Sequence, residues 1–316
     1  MKVVVTCSDV PESAVTILKD SNLEVVINED NTREALLKAL PGAHAVYLAS
    51  KITIDEEILK AAGSNLKIVG CMSSGVDHVN KELLKRHKIQ LSNTSGIPNS
   101  AVADIAILLC LAASRRLHEG RLHIENGTWI YGNQWMLGQD INQSVVGIVG
   151  LGGIGQCIAK KLKAFNVKQI LYCGHKEKDE AKLLEAEFVS FDRVLCQSDF
   201  VIVSCPLTAE TAELFNSVSF NKMKKTAVFV NVARGGIVNQ LDLFDALRKN
   251  IIFAAGLDVT DPEPLPKDHE LLKLPNCVMI PHLGSATLAT RTTMAELTAR
   301  DIIAGLKGES LISPVI

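Results

Sequence analysis

Short apolar runs alternate with amphipathic stretches along most of this chain. Residues 2–7, 23–27, 45–49, 66–71 and 89–91 are rich in Val, Ile, Leu and Ala with few polar positions, the pattern of strands buried on both faces. Between them, residues 12–19, 33–39, 56–61 and 81–86 repeat apolar positions at helical spacing. Alternation of this kind predicts parallel strands joined by right-handed crossovers. The pattern breaks at Thr94-Ser95-Gly96-Ile97-Pro98-Asn99, so a first α/β domain is expected to close near residue 98. A helix from about residue 100 to 120 follows, small and apolar almost all round, and is expected to be buried between domains. After an irregular passage, strand patterns resume at 145–149, 169–173, 200–204, 227–232, 253–257 and 278–280, and a last long helix covers 286–306. The expected fold class is α/β, with two doubly wound parallel-sheet domains.

Composition narrows the possibilities. At 316 residues and 47% hydrophobic content the chain can bury two cores of ordinary size. A formal net charge of -2 gives no electrostatic reason to expect nucleic acid or a membrane as partner. The most apolar helical run, 105–113, is bounded by Asp104, Arg115 and Arg116 and reads as a core helix, not a membrane span. The start, Met1-Lys2-Val3-Val4-Val5-Thr6, reads as a strand and not as a signal peptide. Eight cysteines lie scattered with no Cys-x-x-Cys pair, several of them inside apolar elements. They read as small buried hydrophobes in a reducing, cytoplasmic compartment, and no metal site is expected.

The strongest local signal is Val145-Val146-Gly147-Ile148-Val149-Gly150-Leu151-Gly152-Gly153-Ile154-Gly155. A buried strand runs into glycines spaced G-x-G-x-x-G, and Ile154, Ile158 and Leu162 then mark one helical face. Gly150 suits a tight turn, Gly152 lets the backbone approach a pyrophosphate, and Gly155 lets helix and strand pack closely. A glycine triplet alone also fits an ordinary βα turn; the strand before it and the helix after it favour a Rossmann dinucleotide site. About 20 residues further on, where an acid usually holds the ribose of NAD, the chain has Gly174-His175-Lys176. One or two cations without a carboxylate point to NADPH as preferred cofactor, with NADH possible; the plainer reading makes both residues solvated loop.

Later strand patterns end in polar or glycine-proline sequence: Cys205-Pro206-Leu207-Thr208, Asn231-Val232-Ala233-Arg234-Gly235-Gly236, Asp258-Val259-Thr260-Asp261-Pro262-Glu263-Pro264 and Pro281-His282-Leu283-Gly284-Ser285-Ala286-Thr287. In an open parallel sheet, ligands lie at this edge. Arg234, Glu263 and His282 taken singly suit a surface ion pair, a turn acid and a core histidine; together beside a dinucleotide loop they suit hydride transfer to a 2-oxo acid. His282 would supply a proton to the carbonyl oxygen, Glu263 would hold its other ring nitrogen, and Arg234 would grip the substrate carboxylate. In the first domain, Cys71-Met72-Ser73-Ser74-Gly75-Val76-Asp77 follows a strand and offers either backbone N–H groups to an anion or a plain turn capped by Ser74 or Asp77. Residues 48–51 pose the same choice. Trp129 and Trp135, both tryptophans of the chain, suit either an interface or a local packing cluster.

The glycine fingerprint, Asn-x-Ala-Arg-Gly, Asp-Pro-Glu-Pro and Pro-His-x-Gly-Ser-Ala-Thr occur in the order seen in the D-isomer-specific 2-hydroxyacid dehydrogenases, which the sequence resembles over nearly its whole length. Within that family it is most similar to the glyoxylate/hydroxypyruvate reductases, through Ala254-Ala255-Gly256-Leu257-Asp258-Val259-Thr260 and the basic His175-Lys176 position. The resemblance implies a Rossmann domain, 99–286, inserted in a flavodoxin-like substrate domain, 1–98 plus 287–316, with hinges near Pro98 and Leu283. It implies Arg234, Glu263 and His282 as catalytic residues, and Ser74 and Gly75 as backbone ligands of the substrate carboxylate. For the cofactor it implies Gly150, Leu151, Gly152, Gly153, Ile154, Gly155, Pro206, Thr211, Val232, Asp258 and Gly284, with Asp258 near the carboxamide. Trp135 matches a position that reaches the neighbouring subunit's active site in related reductases, which implies a homodimer. Gly153 stands where the family often has Arg, so pyrophosphate binding rests more on backbone N–H groups and the helix dipole. A dinucleotide-sensing corepressor-like protein is the alternative from another class; it would bind cofactor and turn over poorly.

Overall fold

Parallel strands carry both halves of the protein, whose computed structural model describes residues 1–316. One unit comprises Met1–Pro98 with Ala286–Ile316, the other Asn99–Ser285. In the first, β1 (Lys2–Val5), α1 (Glu12–Asp20), β2 (Glu24–Ile27), α2 (Arg33–Ala39), β3 (Ala45–Leu48), α3 (Glu56–Ala62), β4 (Ile68–Cys71), α4 (Lys81–Arg86) and β5 (Gln90–Ser92) alternate as the pattern predicts. The sheet runs β2-β1-β3-β4-β5, all parallel. Helices start where a side chain can take an orphan N–H: Thr32, Asp55 and Asn80 each accept from the residue three positions on.

The second unit holds α5 (Asn99–Ser114), α6 (Leu117–Glu125), β6 (Val145–Val149), α7 (Gly153–Leu162), β7 (Gln169–Cys173), α8 (Glu180–Leu184), β8 (Ala186–Phe188), α9 (Phe191–Gln197), β9 (Phe200–Val203), α10 (Ser217–Lys222), β10 (Val228–Asn231), α11 (Gln240–Arg248), β11 (Ala254–Leu257) and β12 (Cys277–Met279). Its seven parallel strands lie in the order β12-β11-β10-β9-β6-β7-β8, with the reversal at β6. That is the doubly wound order whose ligand crevice opens at the strand ends on either side of the reversal.

The chain then returns to the first unit as α12 (Leu288–Lys307), capped by Thr287. It lies directly on β4: a Cβ at Gly70 would come within 2.7 Å of Ile302, and one at Gly305 within 2.6 Å of Ile68. Tyr47, fully buried, donates to Ala295 O at 3.0 Å across the same contact. No helix is long and apolar enough to cross a membrane. All eight cysteines are free, and burial pushes the Cys110 and Cys277 thiols up to about 12.

Two expectations need correction. The helix expected over residues 100–120 is two helices. Arg116 adopts the left-handed region (φ 55°), its guanidinium bound to both oxygens of Glu119 at 2.9 and 2.7 Å. The Ser114 carbonyl is taken by Gln139 N–H at 2.9 Å, so the ladder ends there. The apolar face of α5 packs on α7, β10 and β11 of its own unit, with Leu109 against Gly256. The edge strand β8 goes unpredicted because it is only three residues long and Glu187 breaks its apolar run.

Candidate active site

At the end of β6 the chain turns through Gly150 with φ 96°, a conformation that an L side chain rarely takes. A Cβ there would also sit 2.8 Å from the Cys205 backbone. Ser204 Oγ donates to the Gly150 carbonyl at 2.7 Å and holds the turn. A Cβ at Gly155 would collide with the same carbonyl, so helix and strand pack as closely as the spacing predicts. Gly152, the N-cap of α7, has open space before it and no side-chain cap. The ten-residue α7 therefore presents bare N–H groups and its positive dipole end to that space, which fits a pyrophosphate. Leu151 is 3% exposed and buries its side chain, so with Ile154 it offers backbone alone. A side chain at Gly153 would displace the side-chain amide of Asn99.

His175 and Lys176 follow β7 on an exposed turn. His175 Nε2 lies 3.9 Å from Glu210, both side chains well solvated. After β9, Thr211 Oγ1 donates to Pro206 O at 2.7 Å and accepts from Thr208 N–H at 2.8 Å, closing the turn that carries both. Val232 follows β10 with its side chain in the core.

Strands β10, β11 and β12 are neighbours in register, Asn231 opposite Leu257 and Leu257 opposite Met279, so the turns that follow them share one edge. Asn231, 1% exposed, brackets the first turn: Nδ2 donates to Arg234 O at 2.8 Å and Oδ1 accepts from Ala233 N–H at 3.0 Å. Arg234 leaves that turn half-buried, with Nη1 on Ala233 O at 2.8 Å. In the second turn Glu263 accepts from Thr260 N–H at 2.9 Å through Oε1. Its Oε2 lies 2.9 Å from His282 Nδ1. The glutamate side chain is 17% exposed and the histidine 40%, so the pair is shielded at the carboxylate and open at the imidazole.

Asp258 fixes the third turn. It is 2% exposed, and its two oxygens accept from Leu283 N–H at 2.6 Å and Gly284 N–H at 2.9 Å, while its carbonyl accepts from His282 N–H at 2.9 Å. Burial pushes its carboxyl above the ordinary range, opposed by those two N–H groups. This clamp holds His282 at φ 53°, a left-handed conformation that a non-glycine residue keeps only under constraint. The resemblance implies Asp258 and Gly284 as cofactor residues; in the structure they set the histidine. Sequence reasoning missed Asn231, Thr260 and Ser204, whose one signal was a polar residue at the end of an apolar strand.

Gly235 couples the first two turns, because its missing Cβ would occupy the Thr260 carbonyl and the Asp261 nitrogen. Gly235→Ala is expected to destabilise the protein by about 1–3 kcal/mol, since backbone and not a rotatable side chain must yield. Thermal denaturation measures this, and an unchanged midpoint would refute the close approach.

Ser74 and Gly75 belong to the first unit, on the turn after β4, and Leu48 ends β3, with Ala49 and Ser50 N–H donating to Thr6 Oγ1 at 3.0 and 3.2 Å. In the second unit Trp135 stacks edge-on against His123 with ring centroids 5.2 Å apart, while Trp129 is 67% and Tyr131 98% exposed.

Hydride transfer from a nicotinamide needs a berth for the pyrophosphate and a group that exchanges a proton with the substrate oxygen. The second unit has a glycine turn at a bare helix end that suits the first and a histidine–glutamate pair that suits the second, the features of a nicotinamide dinucleotide-dependent oxidoreductase. Residues 107–284 match the family described as D-isomer specific 2-hydroxyacid dehydrogenase, NAD binding domain. The chain is 43% identical to the glyoxylate reductase/hydroxypyruvate reductase of Mus musculus, covering 99% of this chain and 97% of that one. It is 37% identical to the glyoxylate reductase of Pyrococcus horikoshii over 95% of this chain and 92% of that one. The crystal structure of a glyoxylate reductase from Paecilomyes thermophila superposes with a TM-score of 0.89 at 27% identity, covering 100% and 98% of the two chains. The protein belongs to the D-isomer-specific 2-hydroxyacid dehydrogenase family, and its reaction is the reduction of 2-oxo acids.

Proposed function

We propose that this protein reduces hydroxypyruvate to D-glycerate and glyoxylate to glycolate, with NADPH preferred and NADH accepted. The observation that carries the reading is the His282–Glu263 pair, 2.9 Å apart at Nδ1, which leaves Nε2 for the substrate. The dinucleotide, when bound, supplies the hydride to the carbonyl carbon. His282 delivers a proton to the carbonyl oxygen, where negative charge accumulates. Glu263 fixes the orientation and tautomer of the ring through Nδ1. Arg234 would grip a substrate carboxylate through its planar fork, and the turn at Ser74 and Gly75 offers backbone N–H groups to a carboxylate. Gly150 to Gly155 would hold the pyrophosphate, Pro206, Thr211, Val232 and Gly284 would contact the dinucleotide, and Asp258 would lie near the carboxamide.

Support for NADPH is Lys176 beside His175 and the absence of an acid in Gly174-His175-Lys176. Steady-state turnover of each 2-oxo acid with NADPH and with NADH tests the whole reading. Lys176→Glu is expected to raise the KM for NADPH about tenfold and leave that for NADH within twofold, since a fixed charge meets only the 2′-phosphate. Faster turnover with NADH in the wild type would overturn the cofactor preference. Tight dinucleotide binding without turnover of any 2-oxo acid would point instead to a dinucleotide sensor.

We also propose a homodimer, formed through α6 and the loop beyond it. Leu117, Ile124, Trp129 and Ile130 are 58–67% exposed there around a groove that Trp135 and Met136 help line. An apolar patch of this kind marks a protein interface. Light scattering is expected to give twice the chain mass, and Ile124→Glu with Trp129→Glu is expected to give one. A monomeric wild type would remove both the dimer and the reach of Trp135 into a neighbour's site. A reducing, cytoplasmic setting accords with eight free cysteines.

A further inference from the structure

The turn after β4 has its carbonyls tied and its N–H groups untied. Ser73 O accepts from Thr94 N–H at 3.0 Å, Ser74 O from Asn93 Nδ2 at 2.8 Å, and Gly75 O from Ser73 Oγ at 2.6 Å. The N–H groups of Ser74, Gly75 and Val76 donate to no group of the protein. Successive free N–H groups held in a fixed turn form an anion-binding concavity.

Asn93 is the node of this arrangement. Its Oδ1 accepts from Ser95 N–H at 3.2 Å and from Ser313 Oγ at 3.1 Å, so its Nδ2 has one orientation available and uses it on Ser74 O. Asn93 N–H in turn donates to Ser313 O at 3.2 Å. Ser313 lies on the segment 310–316, which runs antiparallel beside β5, with Ser92 bridged to Pro314 and Val315 N–H on Leu91 O at 2.8 Å. That segment is moored by Asp301 of α12, fully buried, whose oxygens accept from Ile312 N–H at 2.6 Å and Ser313 N–H at 3.3 Å.

We propose that Asn93, set by the carboxyl-terminal segment 310–316, is a positioning residue for recognition of the substrate's carboxylate. Asp301 holds the segment, the segment holds the Asn93 amide, and the amide holds the Ser74 carbonyl so that the three N–H groups stay presented. This rests on the reading of Ser74 and Gly75 as carboxylate ligands. The carboxylate is unchanged by the reaction, so its contacts are made equally in ground and transition states, and their loss raises KM without lowering kcat.

Asn93→Asp keeps the size of the side chain and removes its donor. It is expected to raise the KM for glyoxylate and the inhibition constant of oxamate by a common factor of about tenfold, with kcat and the KM for the dinucleotide within twofold. Ser313→Ala removes only the hydroxyl that orients the amide and is expected to raise both constants about threefold. Should Asn93→Asp not fold, Ser313→Ala carries the test through the same two constants. Gly75→Pro, which deletes one of the N–H groups, separates the two readings. Raised constants in Gly75→Pro with wild-type values in the Asn93 and Ser313 variants would overturn the positioning role alone. Wild-type values in a folded Gly75→Pro would overturn the turn as carboxylate site. A lowered kcat at unchanged KM in Asn93→Asp would also overturn the proposal.

Discussion

Replacing His282 with alanine is expected to lower kcat/KM for 2-oxo acid reduction by about 10²- to 10⁴-fold, with dinucleotide affinity unchanged. The expectation follows from placement. Nδ1 is committed to Glu263 at 2.9 Å, and the backbone is pinned by Asp258 on both sides, through His282 N–H to the carbonyl and through Leu283 and Gly284 N–H to the carboxylate. The ring has one nitrogen left and no freedom to present it elsewhere. Reduction consumes the protonated imidazole and oxidation requires the neutral ring, so kcat/KM for reduction falls with rising pH while that for oxidation rises. Stopped-flow measurement of the chemical step, with dinucleotide binding followed by fluorescence, checks this. A pH-independent reduction rate in the wild type, or an active alanine variant, would remove His282 from the acid's role.

Arg234→Met is expected to lower kcat/KM by about 10²- to 10³-fold, the loss that follows removal of one donor aimed at developing charge. Unlike the turn at 74–76, the guanidinium would reach the carbonyl as well as the carboxylate, so kcat falls together with affinity. Arg234→Lys restores charge without the fork and is expected to recover only part of the loss. The bracket of Asn231 around residues 233–234 explains why the position is exacting: the turn is built to aim one side chain. Steady-state kinetics with both variants check the order wild type, lysine, methionine. Equal activity of the methionine variant would show that Arg234 only supports the turn.

The chemistry was legible because it sits where local sequence dictates geometry. Strand, glycine turn and helix at 145–162 leave little choice of conformation, and His282, Glu263 and Arg234 stand just past apolar runs whose ends any reader of periodicity can find. What stayed hidden depends on partners distant in sequence. The break at Arg116 needs Gln139 to take the Ser114 carbonyl, and nothing in residues 100–120 announces that. Asp258 reads as one more polar residue at a strand end until the backbone at 283–284 is seen to fold onto it. Asn93 and Ser313, 220 positions apart, meet only because α12 brings the chain back.

The return of α12 to β4 also sets an order of events during synthesis. The unit Asn99–Ser285 is continuous in sequence and complete once residue 285 has left the ribosome. The unit that starts first finishes last: β3 and β4 lack their covering helix, and Gly70 its neighbour Ile302, until residues 288–307 emerge. Nascent chains paused between those two points therefore carry one folded body behind an open sheet. Its bare apolar face is the surface that a chaperone would meet first.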